Sequence, residues 1–181
     1  MKRSNHIDLS SVREEPVPVA FEIPFSLEAL DREPLLEISP VRLEGVVSRI
    51  EGGFALDARC AFEGKLECSR CLAAYPFASD EAFALVLYKR TPGSPDVREL
   101  SGGDLDVAFY EGEEMDVTPL AEERVQMSLP MKPLCREDCR GLCSRCGADR
   151  NLGPCGCATD DVDPRWAALA GVSNATKSQK G

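Results

Sequence analysis

The chain has 181 residues, 43% of them hydrophobic and 29% charged, which is enough for one ordinary core, or a modest core plus a small metal module, and too apolar for a disordered chain. No apolar stretch is long enough for a membrane span. The formal charge of -10 argues by itself against a simple nucleic-acid binder.

Residues 1–16 read as a frayed or edge-like segment. Met1-Lys2-Arg3-Ser4-Asn5-His6 leads into polar residues, so no secretory leader is evident. His6 is the only histidine and reads as a solvated terminal residue. Val17, Val19, Phe21 and Ile23 alternate as in a strand. Ser26 is placed to cap a short helix over Leu27–Arg32, which Pro34 ends.

From Val41 the pattern is β. Val41, Leu43 and Val47 alternate with polar residues, and Glu51-Gly52-Gly53 reads as a hairpin turn. Phe54, Leu56, Ala58, Cys60 and Phe62 keep period two, which puts Cys60 in phase with the apolar face as a buried core thiol. Glu63-Gly64-Lys65 is expected to break or bulge this run. Cys68-Ser69-Arg70-Cys71 then falls on a turn at the strand end, and Phe83, Leu85 and Leu87 mark a further strand. The pattern implies an antiparallel sheet with one wet face, or a partly open barrel.

Thr91–Pro95 is a Pro/Gly loop. Asp96–Glu123 holds ten acidic residues against Arg98, which reads as a solvated surface. Within it Leu105, Val107 and Phe109 suit an edge strand guarded by charges. Thr118-Pro119 starts a helix, with a hydroxyl cap, proline in the first turn and Glu122 and Glu123 near its positive end. Leu120, Val125 and Leu129 would make its buried stripe and Pro130 its stop.

The helix leads into a run holding Cys135, Cys139, Cys143, Cys146, Cys155 and Cys157, six of the nine cysteines. With Cys68 and Cys71 they make eight thiols, enough for two four-cysteine zinc sites. One arrangement puts Cys143, Cys146, Cys155 and Cys157 on one ion and Cys68, Cys71, Cys135 and Cys139 on the other. Disulfides fit poorly, given an odd cysteine count and no leader. A redox Cys-x-x-Cys would need a thioredoxin-like context that is missing around Cys68 and Cys71. The charge is uneven: from Leu129 to Gly181 eight Lys+Arg face six Asp+Glu, leaving 13 against 25 in residues 1–128. Arg136, Arg140, Arg145 and Arg150 interleave with the cysteines. They suit phosphate contact or neutralisation of a four-thiolate zinc site, and the electrostatics serve both. Asp163-Pro164 opens a short helix ending at Gly171, with Trp166 and Leu169 on one face. Ser173–Gly181 reads as a flexible tail, and no internal repeat is evident.

The expected fold is α+β and β-rich, with an acidic-middled body over 1–130, a cysteine-rich segment with a short helix packed on the body over 131–172, and a tail over 173–181. A catalytic zinc keeps an open position and often uses His, Asp or Glu beside the thiols, and the only histidine, His6, is terminal. No phosphate loop or Ser/His pair stands out and no small-molecule substrate is evident, so a non-enzyme is expected. The alternatives are a thiol-redox protein or a zinc-stabilised interaction module. Many free thiols without a leader point to the cytoplasm.

Leu66-Glu67-Cys68-Ser69-Arg70-Cys71-Leu72 resembles the signature of the YceD family, the large ribosomal RNA subunit accumulation proteins of bacteria and plastids. Leu129-Pro130, Pro133-Leu134-Cys135, Asp138-Cys139-Arg140-Gly141-Leu142-Cys143 and Cys146-Gly147 resemble its C-terminal stretch, continued by Cys155-Gly156-Cys157 and Asp163-Pro164-Arg165. The likeness spans roughly 35–171. One departure is Arg150-Asn151-Leu152, where the family usually shows Leu-Asn after the Cys-Gly pair. The resemblance implies a non-enzymatic ribosome-biogenesis factor acting in processing or accumulation of large-subunit (23S) ribosomal RNA, with zinc as a stabiliser of the fold. The implied partner is precursor RNA or a basic ribosomal or assembly protein, with Arg70, Arg140, Arg145 and Arg150 as candidate contacts.

Overall fold

A computed structural model describes residues 5–29, 34–90 and 106–157. It forms two compact units, Met1–Cys139 and Arg140–Gly181.

The first unit is built on a six-stranded sheet. Its strands are β2 (Val17–Ile23), β3 (Leu35–Ile38), β4 (Val41–Ile50), β5 (Gly53–Glu67), β6 (Ala74–Lys89) and β7 (Val107–Tyr110), and the order is β2-β4-β5-β6-β7 with β3 also paired to β5. β2 and β7 are the ends of this path, so the sheet is open and not a closed barrel. All pairings are antiparallel except β6 with β7, which run parallel from Val86↔Val107 to Lys89↔Tyr110. That corrects the wholly antiparallel expectation. A parallel neighbour needs a crossover connection, which periodicity within a strand does not disclose.

Period-two patterning fixes which face is buried. Val41, Leu43 and Val47 of β4 and Leu56, Cys60, Phe62 and Leu66 of β5 are buried, joined by Leu85 and Leu87 of β6. Cys60 is a core thiol as its phase requires, 3% exposed. Burial raises its pKa, against the lowering effect of Arg124.

β5 is not broken at Glu63-Gly64-Lys65, as expected from sequence; it runs unbroken to Glu67. The irregularity lies on its partner, where the β3 register shifts between Leu35 and Glu37. Gly64 is glycine because a Cβ there would run into the Glu37 carbonyl. β3 and β4 share one edge of β5, and Ser39 joins them, donating its N–H to the Glu63 carbonyl (2.8 Å) and accepting the Glu63 N–H on Oγ (3.0 Å).

Of the segment read as frayed or edge-like, residues 6–12 are anchored and not frayed. β1 (His6–Asp8) pairs with β8 (Glu114–Asp116), and a single 3-10 turn follows at Leu9–Ser11. Ile7, Leu9 and Val12 are buried in the common core. Three apolar residues at irregular spacing carry no strand or helix period, which hid this segment.

α1 (Thr118–Ser128) buries Leu120, Ala121 and Val125, with Leu129 buried just beyond it. The expected hydroxyl cap is absent: the N-cap residue is Val117, Asp116 before it accepts the Thr118 N–H (2.9 Å), and Thr118 Oγ1 accepts from Asn5 (3.2 Å). Burial pushes the Asp116 pKa up, but the Thr118 N–H and hydroxyl together with His6 outweigh it and lower the value. The Arg124 guanidinium lies 4.6 Å from the centre of the Phe83 ring, which ties α1 to β6. The described part of the helix expected over Leu27–Arg32 is a single 3-10 turn at Leu27–Ala29, with Ser26 Oγ accepting the Glu28 N–H (3.3 Å). The Thr91–Pro95 loop, Leu105, the Pro164 helix and the tail lie outside the described residues.

Candidate metal centres

β5 and β6 form one long hairpin, and its turn is Cys68-Ser69-Arg70-Cys71. The Leu72 N–H returns to the Cys68 carbonyl (2.9 Å) and the Cys68 N–H reaches the Ala73 carbonyl (3.0 Å). Leu72 is left in the left-handed region with φ 59°. After α1, Pro130 ends the helical path and the chain passes beside this turn, where Ser69 donates to the Pro133 carbonyl (2.8 Å). That brings Cys135 and Cys139 to the hairpin tip. Arg70 Nη1 donates to the Cys139 carbonyl (2.8 Å), bracing one cysteine pair against the other.

The four sulfurs of Cys68, Cys71, Cys135 and Cys139 lie within 4.8 Å of one another. Cys68 and Cys139 are 3.7 Å apart, and Cys71 and Cys135 3.6 Å. A disulfide would need about 2.05 Å. The edge of a sulfur tetrahedron around zinc, with Zn–S near 2.3 Å, is about 3.8 Å. The spacing therefore fits a four-thiolate metal site. Cys68, Cys71 and Cys139 are buried, and Cys135 is partly so.

The second unit repeats the device. Cys143-Ser144-Arg145-Cys146 has the same four residue types as Cys68–Cys71, and the Gly147 N–H returns to the Cys143 carbonyl (2.9 Å) while the Cys143 N–H reaches the Ala148 carbonyl (2.8 Å). Gly147 occupies the left-handed position that Leu72 takes in the first turn, with φ 71°. This local repeat is legible in the sequence as two Cys-Ser-Arg-Cys tetrapeptides, and a search for long repeats passes over it. Cys143, Cys146, Cys155 and Cys157 also lie within 4.8 Å of one another, with Cys146 exposed and the others partly buried.

Sequence reasoning missed the clasp that closes this loop. Asp149 Oδ1 accepts from the Asn151 backbone (2.9 Å) and from its side-chain amide (2.7 Å), and Asn151 Oδ1 accepts the Arg140 N–H (2.8 Å). Asp-x-Asn is an Asx-turn signal that pointed to it. Arg140, Arg145 and Arg150 are exposed on this unit. His6 is exposed and joins neither sulfur group.

Each tetrad divides its proton affinity unequally. Burial pushes Cys68 up, but N–H groups of Cys135, Cys71 and Arg70 aimed at its sulfur outweigh that and bring it to about 6. Cys135 is pushed up to about 12 by burial and by the neighbouring sulfurs of Cys71 and Cys139. In the second tetrad, N–H groups of Cys146 and Arg145 lower Cys143 to about 6, while Cys146 and Cys155 push Cys157 up to about 12. Four thiols this close cannot all ionise alone. A dication supplies the missing charge and displaces the remaining protons when it binds.

The profile of the family described as "Large ribosomal RNA subunit accumulation protein YceD" matches residues 56–173. Mycobacterium tuberculosis protein Rv2926c is 32% identical over 147 residues, 81% of this chain and 66% of its own length, so the match spans just under two thirds of that relative. Bacillus subtilis YlbN is 29% identical over 134 residues, 73% of each chain. The Arabidopsis thaliana large ribosomal RNA subunit accumulation protein YCED homolog 1, chloroplastic, is 22% identical over 169 residues, 79% of this chain and 51% of its own. No solved structure matches. Among the described residues no helix is long and apolar enough to cross a membrane. With both cysteine motifs inside or beside the matched region, the chain belongs to the YceD family of large ribosomal RNA subunit accumulation proteins.

Proposed function

We propose that this chain is a non-enzymatic, cytoplasmic ribosome-biogenesis factor that supports processing or accumulation of large-subunit (23S) ribosomal RNA, with zinc on two cysteine tetrads as its structural cofactor. The observation that carries the reading is the pair of sulfur tetrads, spaced for a tetrahedral ion and set in a chain of a family named for ribosomal RNA accumulation. Cys68, Cys71, Cys135 and Cys139 hold one ion; Cys143, Cys146, Cys155 and Cys157 hold the other. The ion supplies charge and cross-linking, and four sulfurs per site leave it no open coordination position for chemistry.

Arg140, Arg145 and Arg150, exposed on the second unit, are the groups proposed to meet phosphate. Arg70 has a bracing bond to Cys139 and is proposed to add to the contact from its remaining donors. The acidic excess over residues 1–128 supports a second contact, with a basic ribosomal or assembly protein. Depletion of the protein in its own host, read by the ratio of precursor to mature large-subunit RNA, tests the role. Accumulating precursor or loss of mature RNA is expected; an unchanged ratio overturns it. Pull-down of the tagged chain with and without nuclease separates direct RNA contact from a protein partner.

A further inference from the structure

The two tetrads are alike in chemistry and unlike in setting. The first draws ligands from positions 64 and 71 residues apart, and three of its four sulfurs are buried. It lies against a unit with a continuous hydrophobic core from Ile7 to Leu129. The second takes all four ligands from residues 143–157, and none of its cysteines is buried. Beyond Cys139, no hydrophobic side chain is buried among the described residues, and Leu152 is 89% exposed. Residues 140–157 are held by hydrogen bonds: the Leu142↔Asp149 bridge, Arg150 N–H to the Gly141 carbonyl (2.9 Å), the Gly147 N–H to Cys143 carbonyl turn (2.9 Å), Arg140 N–H to Asn151 Oδ1 (2.8 Å) and the Asp149–Asn151 clasp.

A segment of this length with no buried apolar side chain has nothing to offset the entropy of ordering its backbone. Water-exposed hydrogen bonds contribute little net stability. Small metal modules of this kind fold with the ion and unfold without it. The protein around a site also governs access to it, so an ion among buried sulfurs leaves only when the surrounding core opens, whereas one among exposed sulfurs is open to a competing ligand directly.

We propose that the C-terminal tetrad, Cys143, Cys146, Cys155 and Cys157, is an exchangeable zinc site that acts as a folding switch for residues 140–157, while the tetrad of the first unit is a permanent staple. Zinc occupancy of the exposed site then decides whether Arg140, Arg145 and Arg150 are displayed in a fixed arrangement. The switch rests on the reading that both tetrads bind zinc. A drop in available zinc dissolves this surface and leaves the sheet and its staple intact.

The test uses the full chain, reduced and loaded with zinc, then challenged with excess EDTA. Native mass spectrometry follows the zinc count with time, and amide NMR spectra follow residues 140–157 beside strands β4 to β6. One zinc is expected to leave at least about tenfold faster than the other, through a populated one-zinc species. In that species the amides of 140–157 collapse to the random-coil region while those of the sheet hold their positions. The Cys143→Ser/Cys146→Ser variant should bind one zinc and show the same spectrum from the outset. Two zinc ions that leave together, or a segment 140–157 that stays dispersed with its site empty, overturn the switch and leave two structural zincs standing. A chain that binds no zinc at all overturns it together with the reading beneath it.

Discussion

Replacing Cys68 and Cys71 together by serine removes the hairpin half of the first tetrad and frees the segment after α1 from the hairpin tip. The cross-link closes a span of 64 residues between Cys71 and Cys135. In the chain-entropy treatment of a covalent cross-link, a loop of that length removes about 4 kcal/mol of freedom from the unfolded chain. The same treatment of the local span 143–157 gives about 3 kcal/mol. For a unit of this size the urea slope is about 2 kcal/mol per molar, so the double variant should lower the unfolding midpoint by about 2 M. The assay is a urea titration followed by far-ultraviolet circular dichroism, with reductant and zinc present. The control is Cys143→Ser/Cys146→Ser, which should leave the midpoint of the sheet in place. A Cys68→Ser/Cys71→Ser midpoint equal to that of the unaltered chain would refute the idea that this tetrad staples the first unit.

Gly147→Ala tests the second turn, because an added Cβ meets no atom within 4 Å and the only penalty is the left-handed backbone. That penalty is about 1–2 kcal/mol, so competition titration should show zinc binding at this site weakened about 5- to 30-fold. Asp116→Ala removes the acceptor for the Thr118 N–H and should destabilise the first unit by about 1 kcal/mol in thermal unfolding at neutral pH. Because the folded-state pKa of Asp116 is lowered, this contribution is present above the usual carboxylate range and fades as pH falls through the lowered value; the gap between variant and parent should close in acid. Arg140, Arg145 and Arg150 replaced together by glutamine should flatten the salt dependence of binding to large-subunit precursor RNA by about two to three contacts, read from the slope of log K against log salt. Cys60, buried and raised in pKa, should resist iodoacetamide in the native protein and react only on unfolding.

Most of the sheet was legible because its strands obey period two. Val17–Ile23 is a strand with the expected bounds, and Cys60 lies inward where its phase put it. Spacing marked the eight sulfurs as ligands and left their grouping open to more than one arrangement; the fold brings together the two sets of four that one arrangement named. Other features depend on partners distant in sequence. β1 is three residues long and exists through pairing with β8, so no local pattern marks it. β7 runs parallel to β6, and that direction is not written in Val107–Tyr110. Gly64 looked like a breaker when taken alone, yet its cause is the Glu37 carbonyl on another strand. Leu72 gave no sign of a positive φ, because a leucine there runs against backbone preference, and only the twin turn ending in Gly147 explains it.

The count of metal ions on freshly purified, reduced chain is the most direct test, made by native mass spectrometry without added chelator. Two zinc ions per chain, falling to one in the Cys68→Ser/Cys71→Ser variant, is the result expected from two tetrads of four sulfurs. A parent chain carrying no metal, with the eight tetrad thiols free to alkylate, would contradict it.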